Sequence, residues 1–497
     1  MCLSFRKGIY IMKRQETRFS YVYEDLKKRI VSGQFQPGSK LPSSRNLCEE
    51  YNVGIATITR VLDTLKAEKF IDIQIRQAPV VLPHNLTGPG VSTILEQRDS
   101  ILQVYETYGR LLPYLLVFAA HKCSVENMPH YRQAQRAAQQ GICSESWKSL
   151  IALTRDILGF SHNPLLCDLH TAFELQGNFA YFLEKCSFSQ DIMYRKPTFE
   201  PQSIIDVLSE RDPVEQYHHL KALYQDMSAI ITEIFIQMSN SVTQVPAQVP
   251  VSFEWNPLRG KDYYYTRIVR DLTRKIGTGV YPAGTYLPYE AQLAKQYDVS
   301  ASTVRKALGL LEQRGYTKTL NGKGTMVLTP DQINTEQALL DFTTKRDTLI
   351  YLHSLQLMVL LSYPVAAYTA PRFNEDDLKQ LAIHIKKPGI ALTSLFQMIL
   401  KHLSLEPLQV IWQETSQVIE WGFYFAFYPQ GADVIGRLNE ITRRAYRCLR
   451  SGNNAGFAEC LADSYRLILT SVQAHMVEKH HFTEALSVQV PDRDSLK

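Results

Sequence analysis

The sequence predicts a mainly α-helical protein built twice on one plan, in which a small helical module closed by a β-hairpin precedes an all-helical region. Three observations predict this. The stretch VSASTVRKALGLLEQRGYTKTLNGKGTMV, from Val299, reads as a turn, a helix and a hairpin. The stretch VGIATITRVLDTLKAEKFIDIQIRQAPVV, from Val53, has the same skeleton. A shift of 246 residues lays Gly33 on Gly279, Gly38 on Gly284, Leu41-Pro42 on Leu287-Pro288, Tyr51 on Tyr297 and Leu65 on Leu311. Two copies make a duplication rather than a solenoid.

The bulk composition sets bounds. A chain of 497 residues exceeds one core, and 45% hydrophobic with 21% charged residues is ordinary globular usage. A formal charge of +5 permits an acidic partner without demanding one. The eight cysteines form no CxxC pair or zinc spacing, so reduced thiols are expected. The N-terminal apolar run is too short and too mixed for a signal peptide, and Met12 could be the start. The most apolar stretch, from Leu349, contains His353, Gln356 and Pro364 and reads as a buried helix rather than a span. A cytoplasmic protein with no membrane partner is therefore expected.

In the second copy, Ile268, Val269, Leu272 and Ile276 recur at helical spacing. The turn GTGVYPAGTYLP follows, then a short helix, EAQLAKQY, with Leu293 and Ala294 on its apolar face. Ser300 is placed to cap the third helix through its hydroxyl. Val304, Leu308 and Leu311 of that helix point inward, while Ser302, Thr303, Arg305 and Lys306 lie on its open side. A hairpin then turns at NGKG. Helix, helix, tight turn, helix and hairpin is a winged helix-turn-helix, whose third helix enters a DNA major groove by its first turns. Arginine and lysine there reach base acceptors or phosphates, and serine and threonine reach phosphate oxygens or base edges. Gly322 and Gly324 let the wing backbone approach the sugar-phosphate, and Lys323 adds charge.

This arrangement resembles the DNA-binding domain of the GntR transcription regulators. The resemblance rests on GVYPAGTYLP at 279–288, LAKQYDVSASTVRKALGLLEQRGY at 293–316, GKGTMV at 322–327, and, in the first copy, IVSGQFQPGSKLPSSRNL from Ile30. It covers about 65 residues per half, roughly a quarter of the chain. It implies a transcription regulator, more often a repressor, acting on a double-stranded DNA operator. The two copies depart from the family pattern differently. The arginine usual in the second helix survives as Arg45 but is Ala291 in the second copy. The two arginines usual on the third helix are Ile55 and Thr59 in the first copy, with Arg60 one step along, and Ala301 and Arg305 in the second. The glycine wing is absent from the first copy, where IQIRQAP leaves Arg76. A fused, diverged pair would read two unequal half-sites.

The expected domains are a winged helix over 18–83, a helical effector or assembly region over 84–238, a polar linker over 239–256, a second winged helix over 262–330 and a second helical region over 331–485. The tail from about Ser487 is expected to be loose. The helical regions faintly resemble the ligand domain of the FadR-like branch, whose metal is often held by Asp and three His. The positions do not line up here, since Asp156 has no histidine one turn on, and neither metal nor cofactor is expected. The aromatic runs GNFAYF from Gly177 and GFYFAF from Gly422 admit either packed core or an apolar effector pocket. Nothing catalytic emerges: there is no nucleophile elbow, P-loop or dinucleotide fingerprint. The expected DNA-contacting residues are Ser44, Arg45, Thr57, Thr59 and Arg60 in the first copy, and Ser300, Ser302, Thr303, Arg305, Lys306, Gly322, Lys323 and Gly324 in the second. A pseudo-dimer within one chain and a homodimer carrying four winged helices both fit, with a small-molecule effector acting on the helical regions. The rival is a scaffold or partner-binding protein with degenerate winged helices.

Overall fold

The computed structural model describes residues 18–31, 35, 37–51, 53–74, 78–82, 91–177, 179, 182–183, 186, 188–258, 264–277, 279–329, 342–386, 390–427 and 431–492. It is mainly α, as expected, with a two-stranded antiparallel sheet in each half. The chain divides into two compact units. Among the described residues, one holds 18–161 and 166–258, and the other holds 264–492 together with His162–Leu165.

The first unit opens with α1 (Arg18–Val31), α2 (Ser44–Tyr51) and α3 (Ile55–Ala67), followed by β1 (Ile71–Asp72) and β2 (Val80–Val81). Val22, Leu26 and Ile30 of α1 bury against Leu47, Ile58, Leu62 and Leu65, at the spacing an amphipathic helix requires. Ile71 pairs with Val81 and Asp72 with Val80, and a bridge from Lys40 to Val80 ties the turn before α2 to the hairpin.

The rest of this unit is α4 (Val91–Glu96), α5 (Arg98–Ala120), α6 (Tyr131–Ala138), α7 (Ser144–Phe160), α8 (Pro164–Gly177, in this unit from Leu166 on), α9 (Ser189–Tyr194), α10 (Pro201–Leu208) and α11 (Pro213–Asn240). The long helices α5 and α11 pack on each other, with α7 on α5. Between α7 and α8 lies the turn at Ser161. The segment after α11 departs from expectation. It has no regular structure, yet it docks along its own unit rather than running free. Val249 N donates to Glu96 O at 2.7 Å, Gln248 Nε2 donates to Leu95 O at 2.8 Å, and Glu254 N donates to Gln176 Oε1 at 2.8 Å. Phe253 and Trp255 are buried. Apolar anchors set among polar residues hold this strap, and polarity alone hid them in the sequence.

The second unit repeats the plan with α12 (Tyr264–Gly277), α13 (Glu290–Tyr297), α14 (Ala301–Gln313), β3 (Thr317–Leu320) and β4 (Gly324–Val327). Thr317 pairs with Val327 and Leu320 with Gly324, and Tyr286 bridges to Met326 as Lys40 bridges to Val80. Then come α15 (Phe342–Thr369), α16 (Glu375–Ile385), α17 (Leu392–His402), α18 (Glu406–Phe427), α19 (Gly431–Arg450) and α20 (Asn454–His480). Helix α15 holds the apolar stretch from Leu349. The helical run Lys345–Arg372 is long and apolar enough to cross a membrane, but 83% of its most apolar window is buried inside the unit. It is a core helix packed on α18 and α20. The tail also departs from expectation up to residue 492. Val488 is buried, Gln489 O accepts from Gln356 Nε2, and Pro491 O accepts from Arg466 Nε.

The duplication extends to partly buried polar detail. Tyr51 Oη donates to Asp25 Oδ2 at 2.5 Å and accepts from Arg29 Nη1 at 2.8 Å. The equivalent Tyr297 donates to Asp271 Oδ2 at 2.6 Å and accepts from Lys275 Nζ at 3.3 Å. In each module this triad fastens the second helix to the first.

Candidate nucleic-acid interface

In the second module the turn before α14 is built as expected. Ser300 takes an extended backbone, and its Oγ accepts from Thr303 N at 3.3 Å. The hydroxyls of Ser302 and Thr303 lie 2.8 and 2.9 Å from Ser300 Oγ, so three hydroxyls cluster at the helix start. Val304, Ala307, Leu308 and Leu311 are buried, which turns Ser302, Arg305 and Lys306 outward, while Thr303 is half-buried.

Both cations are braced by residues that the sequence had not singled out. Arg305 Nη2 lies 2.9 Å from Glu290 Oε2 across the helix-turn-helix. Lys306 Nζ sits 4.3 Å from the centroid of the Tyr265 ring on α12. The second brace recurs in the first module, where the Arg60 guanidinium lies 5.0 Å from the Phe19 ring. A cation held on an aromatic face keeps its charge while losing rotamer freedom. The first brace does not recur, because Ser44 and Thr59 occupy the places of Glu290 and Arg305.

The first module's third helix starts differently. Gly54 is its N-cap and offers no side-chain bond. Thr57 is half-buried and Thr59 is exposed, with its hydroxyl turned back to Ile55 O at 3.0 Å. Ile55 is an exposed apolar residue at the first helical position. Arg45 is exposed on α2 and Ser44 is half-buried. This surface therefore offers Arg45, Arg60 and an apolar contact, where the second offers hydroxyls, Arg305 and Lys306.

The wing of the second module follows the sequence expectation. Gly322 and Gly324 have φ of +73° and +104°, values that side chains disfavour. Lys323 is exposed at the tip. A Cβ on Gly324 would stand 3.8 Å from the rings of Tyr286 and Tyr289, both exposed, so two tyrosines flank the wing root. The corresponding turn of the first module, with Arg76, lies outside the described residues.

A small cavity in the first unit is lined by Tyr105, Tyr108, Trp147, Phe173, Glu174 and Phe179. Burial pushes the Glu174 carboxyl up to about 7, against the Tyr108 hydroxyl and Arg155, which pull it down. Burial also pushes His170 down to about 3. Phe179 and Phe182 of the first aromatic run are buried core. The side chains of the second run lie outside the described residues. Among the described residues, no three His, Cys, Asp or Glu side chains converge on a metal-sized site.

The family model described as bacterial regulatory proteins, gntR family, matches residues 20–81 and 264–327. The HTH-type transcriptional regulator TreR of Bacillus subtilis is 39% identical over 69 residues, covering 14% of this chain and 29% of that protein. The Uxu operon regulator of Haemophilus influenzae is 30% identical over 118 residues, covering 24% of this chain and 42% of that protein. The Exu regulon transcriptional regulator of Escherichia coli K12 is 30% identical over 117 residues, covering 24% and 45%. The chain thus spans less than half the length of each of these relatives. One family model thus matches twice, once on each of two modules that share a fold and a partly buried polar triad, so the resemblance to the gntR family of bacterial regulatory proteins lies in the two winged helices.

Proposed function

We propose that the chain is a sequence-specific regulator of transcription that binds double-stranded operator DNA with both winged helices, acting as a repressor. The observation that carries this reading is the braced pair on α14. Arg305 and Lys306 project from the first turns of an exposed helix beside a hydroxyl-rich cap and a glycine wing bearing Lys323. That is the surface that a major groove and its flanking phosphates require. The names of the relatives, which describe operon and regulon regulators, support the same reading.

On this reading Ser300, Ser302, Thr303, Arg305, Lys306, Gly322, Lys323 and Gly324 contact one half-site. Ser44, Arg45, Thr57, Thr59 and Arg60 contact the other. Because the two surfaces differ, the half-sites differ. Covalent linkage gives the second module an effective concentration on the order of millimolar once the first is bound. The helical regions would take a small-molecule effector and shift the population of DNA-competent arrangements. The protein performs no catalysis and works in the cytoplasm as its own pseudo-dimer.

The test is selection of bound duplexes from a random library, followed by fluorescence anisotropy at several salt concentrations. Two unlike half-sites at fixed spacing, with affinity falling steeply as salt rises, is the expected result. Absence of enrichment together with salt-insensitive binding would overturn it in favour of a protein scaffold.

A further inference from the structure

We infer that Asp347 is a positioning residue that locks the second DNA reader, and not the first, to its helical region. The inference rests on the proposed DNA-binding role of α14, but its structural core does not.

Asp347 lies in the second turn of α15 and its side chain is 1% exposed. Three guanidiniums surround it. Arg314 Nη2 lies 3.5 Å from Oδ2, Arg270 Nη2 lies 3.4 Å from Oδ1, and Arg346 Nη2 lies 3.2 Å from Oδ1. Burial pushes the Asp347 carboxyl up, and the guanidiniums of Arg270, Arg314 and Arg346 outweigh it, so the group sits below the usual carboxylate range and stays ionised. Arg314 is the C-cap of α14, and Arg270 is on α12. One buried carboxylate therefore grips two helices of the winged helix from the first helix of the helical region. Helix α12 packs on α18 of the same unit, a second attachment on that side. The grip is at the C-terminal end of α14, and the residues proposed to touch DNA are at the other end.

The first module cannot form this link. Its residues at the places of Arg270 and Arg314 are Glu24 and Glu68. Glu68 bonds within its own module, accepting from Tyr23 Oη at 2.6 Å and Lys27 Nζ at 2.9 Å. The counterpart of Asp347 in the Lys-Arg-Asp and Gln-Arg-Asp repeats is Asp99, which is 58% exposed and pairs with its neighbour Arg98. Both charges that the link needs on the reader are reversed. Removing one partner of a buried ion pair leaves an uncompensated charge, so the grip is stiff where it exists. A change in α15 is thus passed to α14 as a reorientation of Arg305 and Lys306, while α3 receives no such input.

The test uses the full chain with Asp347→Asn, Asp347→Glu, Arg314→Gln and the control Asp99→Asn. Amide hydrogen exchange without DNA comes first. Asp347→Asn is expected to speed exchange in 301–313 at least tenfold and to leave 55–67 unchanged, with Asp347→Glu partly restoring protection. Affinity for duplexes carrying one selected half-site each comes second. Asp347→Asn is expected to weaken binding to the half-site of the second reader about tenfold and to change the other less than twofold, with Asp99→Asn changing neither. If Asp347→Asn does not fold, Arg314→Gln, which leaves two guanidiniums on Asp347, carries both readouts in the same direction. Equal loss at the two half-sites, or uniform exchange across both modules, would overturn the inference. If the wild type binds no duplex, the DNA reading falls and the exchange result still decides the lock.

Discussion

Arg305 Nη2 lies 2.9 Å from Glu290 Oε2, and its Nε lies 3.4 Å from Oε1, so one carboxylate fixes the guanidinium in the open face of the winged helix. Both side chains are well exposed, and exposed pairs add little to folding stability. The value of the pair lies in orientation, because an arginine already held in one rotamer loses less freedom on binding. Glu290→Ala is expected to leave the melting temperature unchanged and to weaken binding to the second reader's half-site several-fold. Arg305→Ala is expected to weaken it on the order of tenfold to a hundredfold and to relax base preference there. The double variant should be no worse than Arg305→Ala alone, since Glu290 acts through the arginine. Anisotropy on the four proteins gives the cycle, and independent, additive losses would refute the orienting role.

The cation-on-ring pairs separate charge from placement. Lys306→Ala and Lys323→Ala each remove one phosphate-directed charge, so the slope of log K against log salt should fall by about 1 for each. Tyr265→Ala leaves the charge of Lys306 but releases it from its ring at 4.3 Å. Affinity should then drop a few-fold with the slope intact. A slope change in Tyr265→Ala matching that of Lys306→Ala would mean that the ring acts on more than placement.

Much of the winged-helix modules could be read from sequence because their signals are local. The Ser300 cap, the Val304, Leu308 and Leu311 spacing and the glycines at the wing lie within short windows. The braces were not legible, since Lys306 and Tyr265 are 41 positions apart and nothing local marks tyrosine as a support for lysine. Glu290 and Asp347 were hidden for the same reason, although the second belongs to an Arg-Asp pair that both halves share, Arg98-Asp99 and Arg346-Asp347. The strap after α11 and the tail near Val488 read as loose because composition counts polar residues. Their order depends on a few apolar anchors and on backbone bonds to distant helices.

Glu174 makes the first unit sensitive to pH. Its folded carboxyl is held up to about 7 by burial, above the ordinary value, so the folded state favours the protonated form. Stability from this group is complete below the ordinary carboxyl range near 4.5 and is lost as pH rises through about 7. The side chain is 15% exposed, which tempers the effect to on the order of 2 kcal/mol. Glu174→Gln keeps a neutral, hydrogen-bonding side chain in place. Relative to wild type, it should gain stability above pH 7 and show no gain at pH 4.5. Melting temperatures of both proteins across that range check this, and a gain that is constant with pH would rule out titration of Glu174 as its source.

Lys69 is strained where its counterpart is relaxed. It follows α3 with φ of +61°, and the equivalent residue after α14 is Gly315, at +75°. The backbone hydrogen bonds at the two helix ends are the same. Lys69 N donates to Lys66 O and Phe70 N to Leu65 O, as Gly315 N donates to Glu312 O and Tyr316 N to Leu311 O. This is the helix terminator in which glycine is favoured, because a Cβ in the left-handed region costs roughly 1 kcal/mol or more. Lys69→Gly should therefore stabilise the first module by about 0.5 kcal/mol, the relief of strain being partly offset by the greater freedom of glycine in the unfolded chain. Gly315→Lys should destabilise the second module by about 1 kcal/mol. Hydrogen exchange in the full chain should slow over 55–67 in the first variant and quicken over 301–313 in the second. If exchange instead moves the same way in both, the cause is charge or solubility rather than backbone geometry.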